Sequence, residues 1–379
     1  MTTQPFASRL LRLLPLAALL IASFSAVRAQ DTVTLMLASY AVPREAYEAI
    51  IPLFKDKWLA EHNQTVVFQE SYQASGAQSR AVEGGFEADV VALSLEPDVT
   101  RLVKAGLVSE DWKTDNPYGG IVTESLAVLV TREGNPLGIT DWADLVKDNV
   151  QVITPDPATS GGAQWNLLAA IGAAKRGAIA GYEGEAGIET YLRDLIPHLE
   201  VLDKDGRESF LTFARGVGDV AITYENEVFT AEAAGEVYTI VYPHSTILIE
   251  NPVAVVDTYV DKHGTRAVAE AFVDFLWSPE AQSIFAQKGY RPVNAAVRAQ
   301  VGLPAVSVVE AAATAEAGAT VEPAATAEAA AATLEGVPTF GAVTDLFSIQ
   351  EFGGWSEARA TYFGDAGLFT TLLSDVKSR

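Results

Sequence analysis

Two Ser-Gly turns are the residues of this chain best suited to chemistry. One is QASGAQ (73–78) and the other is ATSGGAQ (158–164). Each follows a strand-like run, TVVFQE (65–70) or QVIT (151–154), and each opens a helix-like run. A Ser at such a junction caps the helix, and the next backbone N–H groups are left unpaired and point outward. Donors of that kind, at the positive end of a helix, hold anions. For one such turn, capping alone is the simpler account. A second turn in a second α/β unit makes anion binding an equal reading.

Other chemistries fit poorly. A nucleotide phosphate loop needs Lys and Ser or Thr after its last glycine, and Ala163 and Gln164 stand there instead. No G-x-S-x-G elbow occurs. The four histidines, His62, His198, His244 and His263, fall at no metal-ligand spacing, so no metal and no cofactor is expected. With 49 acidic residues, paired carboxylates carry little information, and most must be solvated surface.

The elements that must position the turns read as alternating strand and helix. VTLMLA (33–38), TVVFQE and DVVALS (89–94) read as strands, separated by helices in PREAYEAIIPLFKDKWLAEHN and SGAQSRAVEGG. Tyr47, Ile50, Ile51, Phe54 and Trp58 fall on one helical face. A second unit repeats the theme. ESLAVLVTR, QVIT, DVAITYE, VYTIVYP and NPVAVVDTYV are its strands; DWADLVK, AQWNLLAAIGAAKRG and RESFLTFARG are its helices. TRAVAEAFVDFLW and SPEAQSIFAQKG follow as helices, the latter with Ser278 as N-cap and Pro279 in its first turn. This is an α/β chain with a mostly parallel sheet and two lobes around a cleft, where strand ends gather ligands. Residues 305–335 stand apart: AATAEA occurs at 312–317 and again at 324–329, without aromatics, and reads as a low-complexity insert.

The 379 residues are 49% apolar, ample for a buried core. Residues 1–29 have Arg9 and Arg12, an apolar run over 13–24, and small residues before Gln30, which reads as a signal peptide cut after Ala29. Removing it takes three arginines and no acid, so the formal charge of −23 becomes −26. Such a surface repels nucleic acid and anionic lipid. The chain has no Cys, hence no lipid-bearing Cys at the cleavage site, and a periplasmic monomer is expected.

Taken in order, LASYAVPREAYE, SYQASGAQSRAVEGGFEADVVALSLEPDV, VITPDPATSGGAQWNLLAAIGAA, VLDKDGRESFLTFARGVGDVAITYENE, KGYRPVNA and FGGW are specific. Together they resemble the sulfate/thiosulfate-binding proteins of ABC importers, over about residues 33–369 apart from the Ala-rich insert. The resemblance implies a two-lobed periplasmic-binding-protein fold of type II that binds a dehydrated dianion through neutral hydrogen bonds and docks on a membrane permease.

It also implies a site. Ser75 would donate from hydroxyl and backbone, Ser160 from its hydroxyl, and Gly161, Gly162 and Gly206 from their amides. Tyr224 stands where the family has a Trp that donates its indole N–H. Ala41 stands where the family has an Asp, and Gln164 replaces the Arg of GGARWN. The resemblance makes Glu45 and Arg207 an interlobe latch and leaves Asp98 without its charged partner. Lobe I is expected over 30–117 and 252–379, lobe II over 118–251, with hinge crossings near 116–120 and 250–252. Tyr224 leaves another tetrahedral oxyanion, such as molybdate or tungstate, as an alternative ligand. An exported hydrolase is the reading from a different class, and no base near Ser75 or Ser160 is visible in sequence to support it.

Overall fold

The computed structural model describes residues 31–305 and 334–378. The expected signal peptide and nearly all of the Ala-rich insert lie outside the described residues.

The chain begins β1 (Asp31–Tyr40), α1 (Arg44–His62), β2 (Gln64–Gln73), α2 (Ser75–Glu83), β3 (Val90–Ala92) and α3 (Glu96–Lys104). It continues β4 (Ile121–Arg132), β5 (Val152–Pro155), α4 (Gly161–Lys175), α5 (Gly184–Leu195), β6 (Leu199–Asp203), α6 (Gly206–Ala214), β7 (Val220–Tyr224) and α7 (Glu225–Ala233). Then come β8 (Tyr238–Val241), β9 (Ser245–Val255), α8 (Asp257–His263), α9 (Arg266–Leu276), α10 (Pro279–Gln287), β10 (Arg291–Pro292) and α11 (Ala295–Gln300). β11 (Asp345–Phe347), α12 (Trp355–Ala358) and α13 (Leu368–Lys377) close the described chain.

Hydrogen bonding links the strands in the order β2-β1-β3-β9-β4-β7-β5-β6. β2, β1 and β3 are parallel to one another, as are β7, β5 and β6. Between these groups run β4 and β9, antiparallel to each other. β9 pairs with β3 through Val253–Val255, and β4 pairs with β7 through Ala127–Thr131. Two α/β halves are thus joined by two long shared strands, which gives the two-lobed form. Short β8 and β10 flank β4, and β11 flanks β9.

Alternation of apolar runs and turn residues accounts for most of these elements. α1 buries Tyr47, Ile50, Ile51, Phe54 and Trp58, the face expected from their spacing. Ser278 caps α10 by accepting from the Ala281 N–H at 3.2 Å, with Pro279 first in the helix. The FGGW stretch acts through packing: Trp355 meets Trp165 of α4 edge-on, ring centroids 4.5 Å apart. Both indoles are buried, and removing a side chain of that size from water contributes roughly 2–3 kcal/mol.

Two expectations need correction. DWADLVK forms a 3-10 turn over Trp142–Val146 rather than an α-helix, held by the Asp141–Asp144 capping box and by the Trp142 indole donating to the Ser245 carbonyl at 2.8 Å. The strand expected over 251–260 stops at Val255, because β3 supplies only three residues to pair with; α8 begins at Asp257. α5 and β6 were not expected; β6 is a half-buried strand beside β5 and lacks a strongly apolar run.

Candidate functional site

Five helix starts converge on one small cavity. The segment leading into α1 contributes Tyr40, Ala41 and Val42, and that into α2 contributes Gln73, Ala74 and Ser75. Ser160, Gly161 and Gly162 open α4, Asp205 and Gly206 open α6, and Thr223, Tyr224 and Glu227 belong to the start of α7. Ser94 and Asn166 complete the wall. The cavity measures about 20 Å³. Since roughly 10–15 Å³ on this measure admits one water, the space suits a small ion and excludes a sugar or peptide. No Lys, Arg or His lines it among the described residues. Helix N-termini, each equivalent to roughly half a positive charge, contribute to its wall, as do the side chains of Asp205 and Glu227.

The structure therefore brings Ser75, Ser160, Gly161, Gly162, Gly206 and Tyr224 to one place. Their detailed roles differ. Ser160 is the N-cap of α4: its Oγ accepts from the Ala163 N–H at 3.3 Å, which leaves its proton free to donate. Gly161 is dictated by packing as well as by backbone exposure. A Cβ there would lie 2.7 Å from Leu95 Cγ and 2.9 Å from Ser94 Oγ. At Gly162 a Cβ would meet only ordinary contacts, the nearest Ser160 Oγ at 3.5 Å.

The Ser75 hydroxyl is already engaged. It donates to Asp98 Oδ2 at 2.6 Å and accepts from the Ser94 N–H at 2.9 Å. What Ser75 presents to the cavity is its backbone, a departure from the expected hydroxyl donor. Asp98 is 2% exposed, and burial raises its carboxyl above the ordinary range, against the bond from Ser75 and the nearby arginines. It forms no salt bridge among the described residues. Gln164, expected as a departure, donates to the Pro157 carbonyl at 2.9 Å and does not stand in for an arginine.

Tyr224 is also engaged. Its hydroxyl lies 2.8 Å from Ser94 Oγ, and either can donate. Burial raises its phenol well above the ordinary value, so it is neutral, and the Ser94 and Asn251 hydrogen bonds oppose that shift. If Ser94 donates to Tyr224, the phenol proton is free to point into the cavity.

Next to Gly206, Arg207 makes a two-pronged pair with Glu45, both N–O distances 2.7 Å, and donates to the Val42 carbonyl at 3.0 Å. A third carboxylate, Glu227, lies 3.0 Å from Arg207 Nη2. Glu227 is fully buried against the cavity, and neither of its oxygens accepts a well-formed hydrogen bond among the described residues. Burial pushes its carboxyl up to about 7, Arg207 pulls it down, and Glu45 and Asp205 add to the rise.

Sequence reasoning missed Ser94, Asn166, Asp205 and Glu227. Ser94 stands just past the end of β3, and the rule that ligands gather at strand C-termini could have found it. Glu227 gave no signal among so many acids.

A family model described as bacterial extracellular solute-binding protein matches residues 35–291. The sulfate-binding protein of Synechococcus elongatus is 41% identical over 348 residues, 92% of this chain and 88% of that one. The thiosulfate-binding protein of Pseudomonas aeruginosa is 33% identical over 345 residues, 90% of this chain and 92% of that one. Among solved structures, the sulfate-binding protein of Mycobacterium tuberculosis superposes with a TM-score of 0.71 at 36% identity, covering 87% of this chain and 99% of the other. Its two shared strands, its ring of helix starts and these matches along most of its length place the chain in one family: it belongs to the bacterial extracellular solute-binding proteins, with their two-lobed α/β fold.

Proposed function

We propose that this protein captures sulfate or thiosulfate in the cavity between its lobes and delivers it to an ABC importer in the membrane. The observation that carries the reading is the cavity wall: residues from five helix starts, a Ser160 hydroxyl with its proton free, and no lining cation among the described residues. Sulfate is fully ionised at neutral pH and offers only acceptors, so it suits the donors of this wall, and the Glu227 carboxyl beside them suits it when it holds its proton, which burial favours. The names of the relatives point the same way and favour sulfate or thiosulfate over molybdate or tungstate.

The mechanism is binding without chemistry. Lobe I spans 30–117 and 252–379, lobe II spans 118–251, and the chain crosses between them just before β4 and within β9. The crossing before β4 holds Tyr118 at φ 52° and Gly119 and Gly120 at positive φ, a sharp turn where a hinge can act. Ser75 would offer its amide from lobe I. Ser160, Gly161, Gly162, Gly206 and Tyr224 would offer donors from lobe II. An anion that touches both lobes favours closure, since only the closed form completes its hydrogen bonds. Glu45 and Arg207 would latch the lobes. A dianion held by dipoles and hydroxyls rather than a salt bridge can be released to the permease. The protein would act outside the cytoplasm as a monomer.

Titration calorimetry with sulfate, thiosulfate, molybdate and phosphate tests the reading. Binding of sulfate or thiosulfate is expected; phosphate serves as the comparison, since Glu227 on the wall can accept its proton when ionised. No binding of either sulfur oxyanion would sink it.

A further inference from the structure

Three arginines behind Ser75 take no part in the site above. Arg80 lies on α2, Arg101 on α3, and Arg359 opens the π-turn Arg359–Phe363 that follows α12. α3 packs against both α2 and α12, with the Asp98 carboxylate buried between them. All three guanidinium groups act on Asp98. Burial lowers the Arg359 guanidinium below its ordinary value; Asp98 offsets part of that, and Arg101 and Arg80 add to it as like charges.

Their hydrogen-bonding capacity is unspent. A guanidinium carries five donors. Arg101 reaches Glu83 only at 3.5 Å, and its Nε is buried without an acceptor. Among the described residues, Arg80 and Arg359 form no salt bridge, and none of the three arginines donates a side-chain hydrogen bond. Like-charged groups this close gain nothing from one another. Asp98 and, at 3.5 Å from Arg101, Glu83 are the acids these three arginines meet among the described residues, so the cluster keeps a local excess of positive charge in a chain of formal net charge −23.

The cluster lies where the two halves of the protein meet. A Cβ at Gly76 would stand 3.3 Å from Arg80 Nη1 and 3.1 Å from the Thr159 carbonyl. Gly76 and Thr159 adjoin the lining residues Ser75 and Ser160, so the Arg80 guanidinium lies by the seam between the two segments that carry them. Arg80 is exposed, and Arg101 and Arg359 are half-buried behind it.

We propose that Arg80, Arg101 and Arg359 form a second anion site at this seam, which receives the incoming tetrahedral dianion before it enters the cavity. The inference rests on the anion-binding reading above and adds an entry step to it. A dianion approaching a strongly acidic protein is repelled at long range. A local basic patch reverses that within a Debye length, about 8–10 Å at moderate salt, and focuses the field at the cleft. Arginine suits the task, because its planar fork matches an oxyanion. Capture and retention are thereby separated. Charge at the seam speeds arrival, and uncharged donors inside hold the ion.

Stopped-flow tryptophan fluorescence on the full chain with inorganic sulfate tests this, using Arg80→Gln, Arg359→Gln and the double variant at low and high ionic strength. The association rate of the double variant is expected to fall about tenfold at low salt, with dissociation changed less than about twofold. The gap should close by about 0.5 M salt, where charges are screened over a few ångströms. Arg80→Gln alone, on an exposed side chain that threatens the fold least, should show about a threefold fall. An unchanged association rate at low salt would overturn the proposal. So would a loss that persists at high salt and appears in dissociation, since that marks a merely structural role through Asp98 and Ser75. A wild-type protein that binds neither sulfate nor thiosulfate overturns the functional reading, and this entry step with it.

Discussion

Arg207 and Glu45, 162 positions apart in the chain, meet fork to fork with both N–O distances at 2.7 Å. The pair ties the first turn of α6 to the first turn of α1, two of the five helix starts around the cavity. Arg207 immediately follows Gly206, whose amide is a proposed donor, so the ion pair and the anion share one turn of helix. Glu227 sits on the other side of the same guanidinium. One arginine therefore answers two carboxylates, of which Glu45 takes the better geometry.

Glu45→Gln should weaken sulfate binding about three- to tenfold in calorimetry, in line with roughly 1 kcal/mol for a partly exposed pair. It is a cleaner test than Arg207→Ala, which also strips Glu227 of the cation that lies within ion-pair distance of it among the described residues. Equal affinity in wild type and Glu45→Gln would remove the latch.

Gly161→Ala should block closure without harming the fold. The added methyl would lie 2.7 Å from Leu95 Cγ and 2.9 Å from Ser94 Oγ, across the junction of the two halves. Affinity is expected to drop at least tenfold while the melting temperature of the unliganded protein stays within a few degrees. Gly162→Ala serves as the control, since its methyl would meet nothing closer than 3.5 Å. Equal losses in the two variants would refute the steric account.

Tyr224→Phe removes the hydroxyl that sits 2.8 Å from Ser94 Oγ. A buried hydroxyl left short of a partner costs about 1–3 kcal/mol. Both stability and sulfate affinity should fall, and thermal melting with and without sulfate would separate the two effects. Loss of stability with affinity intact would show that Tyr224 joins the lobes without touching the ion.

The Glu227 carboxyl supplies a pH dependence with a definite sign. Its value rises on folding from 4.5 to about 7 because of burial. Between those values the folded protein holds a proton that the unfolded chain releases, so stability falls as pH rises through that window and is level above it. Glu227→Gln should flatten this part of the profile and leave its variant more stable than wild type at pH 8. Denaturant titrations at pH 5 and pH 8 check it; an identical pH dependence in both proteins would show that Glu227 does not titrate there.

Much of this was legible in the chain itself. Periodicity located α1, an apolar run located α4, and Ser160 and Ser278 announced their helices, because caps and amphipathic faces are set by residues within a few positions of each other. The Ser-Gly turns likewise marked backbone donors before any fold was known. Less was legible where a partner strand decides the outcome: β9 ends where β3 runs out, and nothing in VDTYV forewarns of α8.

The hydrogen-bonding state of the site was decided by tertiary structure alone. Ser75 gives its proton to Asp98 from 23 positions away, and Tyr224 shares its hydroxyl with Ser94 across 130. Glu227 is indistinguishable in sequence from solvated glutamates, and only burial beside Arg207 sets it apart. A side chain's type fixes what it can donate or accept. Which partner reaches it first depends on how distant segments pack, and here that packing directs the Ser75 hydroxyl away from the cavity and leaves the Ser160 proton free.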